Sequence, residues 1–228
     1  MAEDMAPMTG LSKAATKKLR ESRKPIARSV MTVRSLDRLP PGQHLVTSFP
    51  VLDIGILPTI IIDDWRLDIR GEVTEEVSLN WSRLEAMKST EAISDFHCVT
   101  GWSRFDNRWN GVPTTMLTPI CRPTEAARFV LLHGADGYTT NLPLADFTHP
   151  DAILATHWNG LPLEPPHGGP VRVVIPHLYG WKSAKWVVGI EFLSEQKSGF
   201  WEVGGYHDRG DPWLGHRFKW SDANYDPW

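Results

Sequence analysis

The sequence predicts an α+β fold built on mixed β-sheets, with short helices and long ordered loops between the strands. Three observations point there. In "WRLDIRGEV", Trp65, Leu67 and Ile69 alternate with Arg66, Asp68 and Arg70, which is the period of a strand with one buried face. β-Branched and apolar runs recur through the second half of the chain, punctuated by turn chemistry such as "DG" at 136–137 and "NG" at 159–160. Stretches with a helical pattern are few and short.

In chain order, residues 1–36 carry basic residues but no apolar run of signal-peptide length, and read as a flexible, solvated leader. Residues 37–228 read as one domain, because nothing inside them has the composition of a linker. "RSLDRLPPGQHLVTSFPVLDIGILP" is rich in Pro and Gly and lacks any period, which predicts irregular chain wrapped over the surface. After the strand at Trp65, "SLNWSRLEAMK" predicts a short helix with Asn80 as its N-cap and Leu84 and Met87 on one side. "PTTMLTPI" and "PLADFT" predict two more helices. Residues 128–133, 152–158, 171–176 and 185–193 predict strands.

Composition narrows the function classes. With 228 residues, 41% of them hydrophobic, the chain can bury a sizeable core. A net charge of -3 argues against a generally basic nucleic-acid binder. The most apolar stretch, "FPVLDIGILPTIII", is interrupted by Asp53, Gly55, Pro58 and Thr59 and is too short to span a bilayer as a helix. The expectation is a soluble, cytoplasmic protein without a membrane span. Its two cysteines, Cys98 and Cys121, are too few for a disulfide framework and fit a reducing compartment. The absence of CxxC removes the ribbon-type zinc site, the thioredoxin motif and c-type haem attachment. Cys121, before a turn, reads as an inert small residue.

Cys98 in "DFHCVTGW" is the first candidate for chemistry. Against a plain buried cysteine stand three roles: a nucleophile with a histidine base, a zinc ligand beside histidines, or the sole protein ligand of a metal whose other ligands come from a cofactor. His97 is adjacent, and in extended chain adjacent side chains point to opposite faces, which works against a direct pair. The second candidate is "HGGPVRVVIPHLYGWKSAKW". Gly168 and Gly169 allow close backbone approach, while Arg172, Lys182 and Lys185 supply positive charge, so the stretch reads either as an anion cradle or as a Gly-Pro turn with solvated cations. It is not a P-loop, since GxxxxGK[ST] is absent. The histidines at 133, 157, 167, 177, 207 and 216 form no HExxH pair. The tail "GFWEVGGYHDRGDPW" reads as a pocket wall in which Tyr206 can hydrogen-bond a bound oxyanion, and some of the eleven tryptophans can pack against a planar ligand.

These pieces, in this order, resemble the molybdopterin-binding oxidoreductase domain of the sulfite oxidase family, and look closest to its short bacterial members. The resemblance runs from about Pro40 to Trp213 and rests on "DFHCVTGWS", "RWNGVP", "DGYTTNLPL", "HGGPVR", "PHLYGWKSAKW" and the tail. It implies a molybdenum-molybdopterin cofactor with Cys98 as the metal ligand, the remaining ligands being two dithiolene sulfurs and terminal oxygens. It also implies that His167, Gly168, Arg172, Lys182, Ser183, Ala184 and Lys185 hold the pterin and its phosphate, with further contacts from His133 and from Thr47, Ser48 and Phe49. Tyr206 falls at the substrate-pocket tyrosine. The two arginines that sulfite oxidases carry in the N-terminal loop and five residues after the cysteine fall here at Val46 and Ser103, leaving Arg104 and Arg108 nearby as stand-ins.

The expected function is two-electron oxo transfer on a small substrate, a sulfoxide, N-oxide or sulfite-like oxyanion, with an unidentified electron donor or acceptor. Two alternatives use the same residues. One is a zinc- or thiol-dependent hydrolase pairing Cys98 with His133, His157 or His167; the other is a non-catalytic anion-binding module.

Overall fold

The structure, a computed structural model, describes residues 37–222. The expected leader at 1–36 and the last residues, 223–228, lie outside them.

Strand β1 is His44–Leu45, followed by a 3-10 turn at Ile62–Asp64, β2 at Arg66–Gly71 and β3 at Val77–Asn80. Helix α1 (Trp81–Glu85) starts at Asn80, whose side chain accepts from the amide of Arg83, and it buries Leu84. Then come β4 (Thr90–His97), β5 (Trp102–Pro113), α2 (Thr118–Cys121), β6 (Phe129–Gly134), β7 (Thr139–Pro143) and α3 (Leu144–Phe147). The second half adds β8 (Ile153–Trp158), β9 (Leu161–Pro162), β10 (Arg172–Val174), β11 (Val187–Leu193) and α4 (Phe200–Val203).

The strands form two mixed sheets. One runs β3-β2-β11-β6-β7, with β2 and β11 parallel and the other neighbours antiparallel. The other follows β1-β5-β8-β10, with β4 on β5 and β9 on β8. The parallel pairs, β1 with β5 and β2 with β11, join strands distant in sequence, as parallel pairing requires a crossover.

The expected β2 alternation holds: Leu67 and Ile69 are buried while Arg66 and Asp68 face solvent. The strands expected at 128–133, 152–158, 171–176 and 185–193 are present as β6, β8, β10 and β11. β4 and β5, the latter the longest strand described, carry no clear expectation from the sequence. Their period is broken by register shifts at Ser94/Phe96 and Asn110/Gly111. At the second break only glycine fits, because a Cβ on Gly111 would lie 2.0 Å from the carbonyl oxygen of Leu154.

One hydrophobic cluster gathers Leu67, Ile69, Val130, Leu132, Ile190 and Phe192 with residues of α1, α2 and α3. A second holds Val46, Phe96, Cys98, Trp102 and Trp109, and a smaller third holds Tyr179, Trp181 and Tyr206. The functional cleft takes its walls from the second and third clusters.

Candidate functional site

Cys98 sits in the turn from β4 to β5. The turn is closed by bonds from the Cys98 amide to the Trp102 carbonyl (2.8 Å) and from the Gly101 amide to the Cys98 carbonyl (3.0 Å). The Gln43 side chain donates to that same carbonyl at 3.1 Å, which ties the N-terminal loop to the turn. Cys98 is only 6% exposed, and its sulfur lies 3.1 Å from the Thr100 hydroxyl. Burial pushes the thiol up, while Thr100 and the charge of Arg217 pull the other way. A thiol held protonated is a poor nucleophile, but a metal can displace its proton.

The histidines of the hydrolase alternative do not assemble around it. His97 Nδ1 pairs with Ser103 Oγ at 2.8 Å, so adjacent side chains do turn apart. His133 Nε2 pairs with Glu191 at 2.9 Å beside a separate groove, and His157 Nδ1 pairs with Thr156 at 2.9 Å. Of that set, only His167 reaches the cleft that Cys98 lines.

The cleft encloses about 930 Å³, counting its open mouth. Phe49, Leu52, Phe96, Trp102, Trp181 and Trp201 give it apolar walls, and Arg172, Lys185, His167, Asp136 and Tyr206 give it polar ones.

Arg172 opens β10 and is 4% exposed. Its guanidinium donates to the His167 carbonyl at 2.9 Å and the Ser183 carbonyl at 3.3 Å, while Nε is buried without a partner. It stands over the rings of Phe49, Phe96 and Trp109 at 5.7, 5.3 and 5.5 Å. Among the described residues no carboxylate pairs with it, and burial pushes it down to about 9. Trp102 Nε1 is likewise buried without a partner. Beside Arg172, Gly168 has φ +104, and a Cβ there would meet Lys185 at 3.0 Å and Arg172 at 3.1 Å, so a glycine lets the two cationic side chains close up. Lys185 Nζ donates to the Pro166 carbonyl at 2.9 Å. His167 donates from Nε2 to the Phe49 carbonyl at 3.1 Å and stacks on the Phe49 ring, which fixes the loop that closes the cleft.

Of the residues expected from the sequence, the cleft therefore gathers Phe49, Cys98, His167, Arg172, Ser183, Lys185 and Tyr206 in its lining. Thr47 and Ser48 are exposed and outside it, while Gly168 and Ala184 lie behind the lining residues. Three expectations are corrected. Lys182 is not a cleft cation, because it is wholly buried with its ammonium 2.6 Å from Glu202. His133 lies on the other sheet, beside Glu191. Arg104 and Arg108 do not replace the missing arginines: Arg104 is bound to Asn107 and Thr47 and lies over Trp158, and Arg108 points to solvent. Sequence reasoning missed Asp136, which lines the cleft and is masked by its role in the "DG" turn.

The geometry thus combines one soft sulfur, a buried anion grip and aromatic walls. Residues 54–201 match the family model of the oxidoreductase molybdopterin binding domain. YuiH, an uncharacterized oxidoreductase of Bacillus subtilis (strain 168), is 48% identical over 185 residues, which is 81% of this chain and 93% of its own length. The protein-methionine-sulfoxide reductase catalytic subunit MsrP of Campylobacter jejuni is 31% identical over 183 residues, 71% of this chain and 61% of its own length. The crystal structure of the sulfane dehydrogenase SoxCD from Paracoccus pantotrophus is similar in fold, with a TM-score of 0.58 at 17% identity over 75% of this chain and 57% of that one. The chain thus spans less than two thirds of the latter two proteins. Phe49, Tyr206 and Arg217 lie outside the span matched by the family model.

Proposed function

Because this chain belongs to the oxidoreductase molybdopterin binding domain family, and is an enzyme of the sulfite oxidase type with a molybdenum-molybdopterin cofactor, we propose that Cys98 ligates the metal while Arg172 and Lys185 hold the pterin's phosphate. The observation that carries this reading is Arg172. A buried cation without a counter-anion is costly unless a ligand supplies one. A phosphate does so, and the guanidinium's unpartnered Nε together with the neighbouring lysine suits its oxygens. The donor set fits as well: where an organic chelator brings most of the coordination sphere, one thiolate is what the protein needs to add.

When bound, the cofactor supplies two-electron oxo transfer to or from a small substrate. The chain's own residues do the rest. His167 holds Phe49 and with it the loop that shields the cleft from water. Tyr206 packs edge to face against Trp181 and tilted against Trp201, and the three form a wall against which a substrate is oriented, with Tyr206 as its hydrogen-bonding group.

A neutral sulfoxide or N-oxide suits this wall better than dianionic sulfite. Arg104 and Arg108 turn away from the cleft, and positions 46 and 103 hold a valine and a serine. The name of the MsrP relative favours a sulfoxide. An external electron donor or acceptor completes the cycle. No helix among the described residues is long and apolar enough to cross a membrane, and a cytoplasmic setting agrees with two free, buried cysteines.

The test is metal and pterin analysis of protein purified from a molybdenum-replete host. About one molybdenum per chain is expected, with a phosphate-bearing pterin. Cys98→Ser should abolish sulfoxide reduction with reduced viologen as donor while keeping pterin in the protein. Full turnover in Cys98→Ser would overturn the ligand assignment.

A further inference from the structure

Cys98 has a charged neighbour that the family match does not reach. We propose that Arg217, carried in by the C-terminal segment, is a positioning residue whose positive charge raises the reduction potential of the metal centre bound at Cys98. The inference rests on Cys98 being the metal ligand.

The placement of Arg217 follows from a clasp of backbone bonds. The His207 amide donates to the Arg217 carbonyl at 3.1 Å and the Lys219 amide to the Gly205 carbonyl at 3.1 Å, while Tyr206 and Phe218 form a bridge between them. Residues 217–219 therefore lie along 205–207, beside the tyrosine that lines the cleft. From there the Arg217 guanidinium reaches back to the Tyr179 hydroxyl at 3.4 Å and the Gly42 carbonyl at 3.5 Å. Both anchors belong to segments tied to the Cys98 turn. Gln43 donates to the Cys98 carbonyl, the His44 amide donates to the Gly101 carbonyl at 2.9 Å, and Tyr179 pairs with His97.

The charge on Arg217 is not cancelled where it sits. Both of its partners are neutral oxygens at long range, and among the described residues no carboxylate pairs with it. Its anchor at the Gly42 carbonyl is one residue from Gln43, whose side chain holds the Cys98 carbonyl at 3.1 Å, so the charge is held beside the Cys98 turn. A fixed cation beside a metal–thiolate centre favours whichever redox state carries more negative charge, so it makes the centre easier to reduce. Cations at the phosphate grip serve a different end of the cofactor. Arg217 thus leaves the ligand set unchanged and acts on the energy of the electrons.

The experiment is a redox titration of the holoenzyme followed by its molybdenum electron-paramagnetic-resonance signal, with metal content measured alongside. Arg217→Gln should shift the one-electron equilibrium toward the oxidised state by about tenfold, ~59 mV, with molybdenum content unchanged. Arg217→Lys, which restores the charge, should return most of the shift. Should Arg217→Gln fail to load, Arg217→Met keeps the aliphatic stem and removes the same charge. A potential unmoved in the neutral variants, or one that falls as far in Arg217→Lys, overturns the proposal. Cys98→Ser in the same titration tests the premise separately: a signal identical to that of the native enzyme would show that Cys98 is not the ligand.

Discussion

Lys182 Nζ lies 2.6 Å from Glu202 Oε1, and neither side chain has any exposure to solvent. The ammonium also donates to the backbone and side-chain oxygens of Asn141 at 2.8 Å each, while the same carboxylate oxygen accepts from Thr140 and from Trp181 Nε1. One buried ion pair therefore fastens α4, β7 and the turn carrying Trp181, whose ring forms part of the cleft wall. Removing one partner leaves the other charge stranded, which typically costs about 3–5 kcal/mol. Glu202→Leu and Lys182→Met should each lower unfolding free energy in urea by that order, and the double variant should recover much of the loss. A loss below about 1 kcal/mol in both single variants would show that the pair does not anchor this wall.

Arg172 should behave in the opposite way in the cofactor-free protein. Its charge is buried and unpaired, so Arg172→Met removes a desolvation cost and is expected to stabilise the apoprotein by about 1 kcal/mol or more. The same change should reduce retained pterin at least tenfold after gel filtration. Arg172→Lys should retain an intermediate amount, since an ammonium offers charge without the guanidinium fork. Equal stability and equal pterin content in native and Met forms would remove the phosphate-grip argument.

His167 joins two parts of the chain far apart in sequence through its bond and ring contact with Phe49. His167→Ala should free the N-terminal loop at the cost of one hydrogen bond and one stacking contact, about 1–2 kcal/mol together. Limited proteolysis reads this directly. Cleavage between residues 40 and 60 should be several-fold faster in the variant, and unchanged cleavage would place the loop's anchor elsewhere.

How much of this was legible beforehand depends on whether the deciding interaction is local. The alternation of β2 and the Asn80 cap are properties of neighbouring residues, and both are read directly from the sequence. In β5 the bulge at Asn110/Gly111 shifts the inward face midway, so no single period describes the strand. Cys98, Arg172, Lys185 and Tyr206 could be picked out because each sits in a motif with its own chemistry. Lys182 stands three residues from Lys185 and looks equivalent to it, yet Glu202, 20 residues further on, claims it for the interior. Arg217 carries no local signal, since only the pairing of 217–219 with 205–207 brings it toward Cys98.

The tail beside the cleft should also loosen in acid. His207 Nδ1 accepts the amide protons of Arg209 at 3.0 Å and Gly210 at 3.3 Å, so the neutral ring carries its proton on Nε2, which faces Asp222 at 3.5 Å. Its ring stacks on His216 at 3.9 Å. Protonating the ring would set an Nδ1–H against two amide protons. Burial and the charge of His216 push His207 down to about 4, against the pull of Asp222 and Asp208. An unfolded histidine titrates near about 6.5. Between those values the unfolded chain holds a proton that the folded chain does not, so stability falls as pH drops through the window and levels off below about 4. Above the window the group contributes no slope. His207→Asn keeps an oxygen acceptor for the two amides and cannot titrate, so it should lose part of the stability difference between pH 7 and pH 5 measured by urea midpoint. If native protein and His207→Asn lose equal stability over that interval, the acid sensitivity of this tail does not reside in His207.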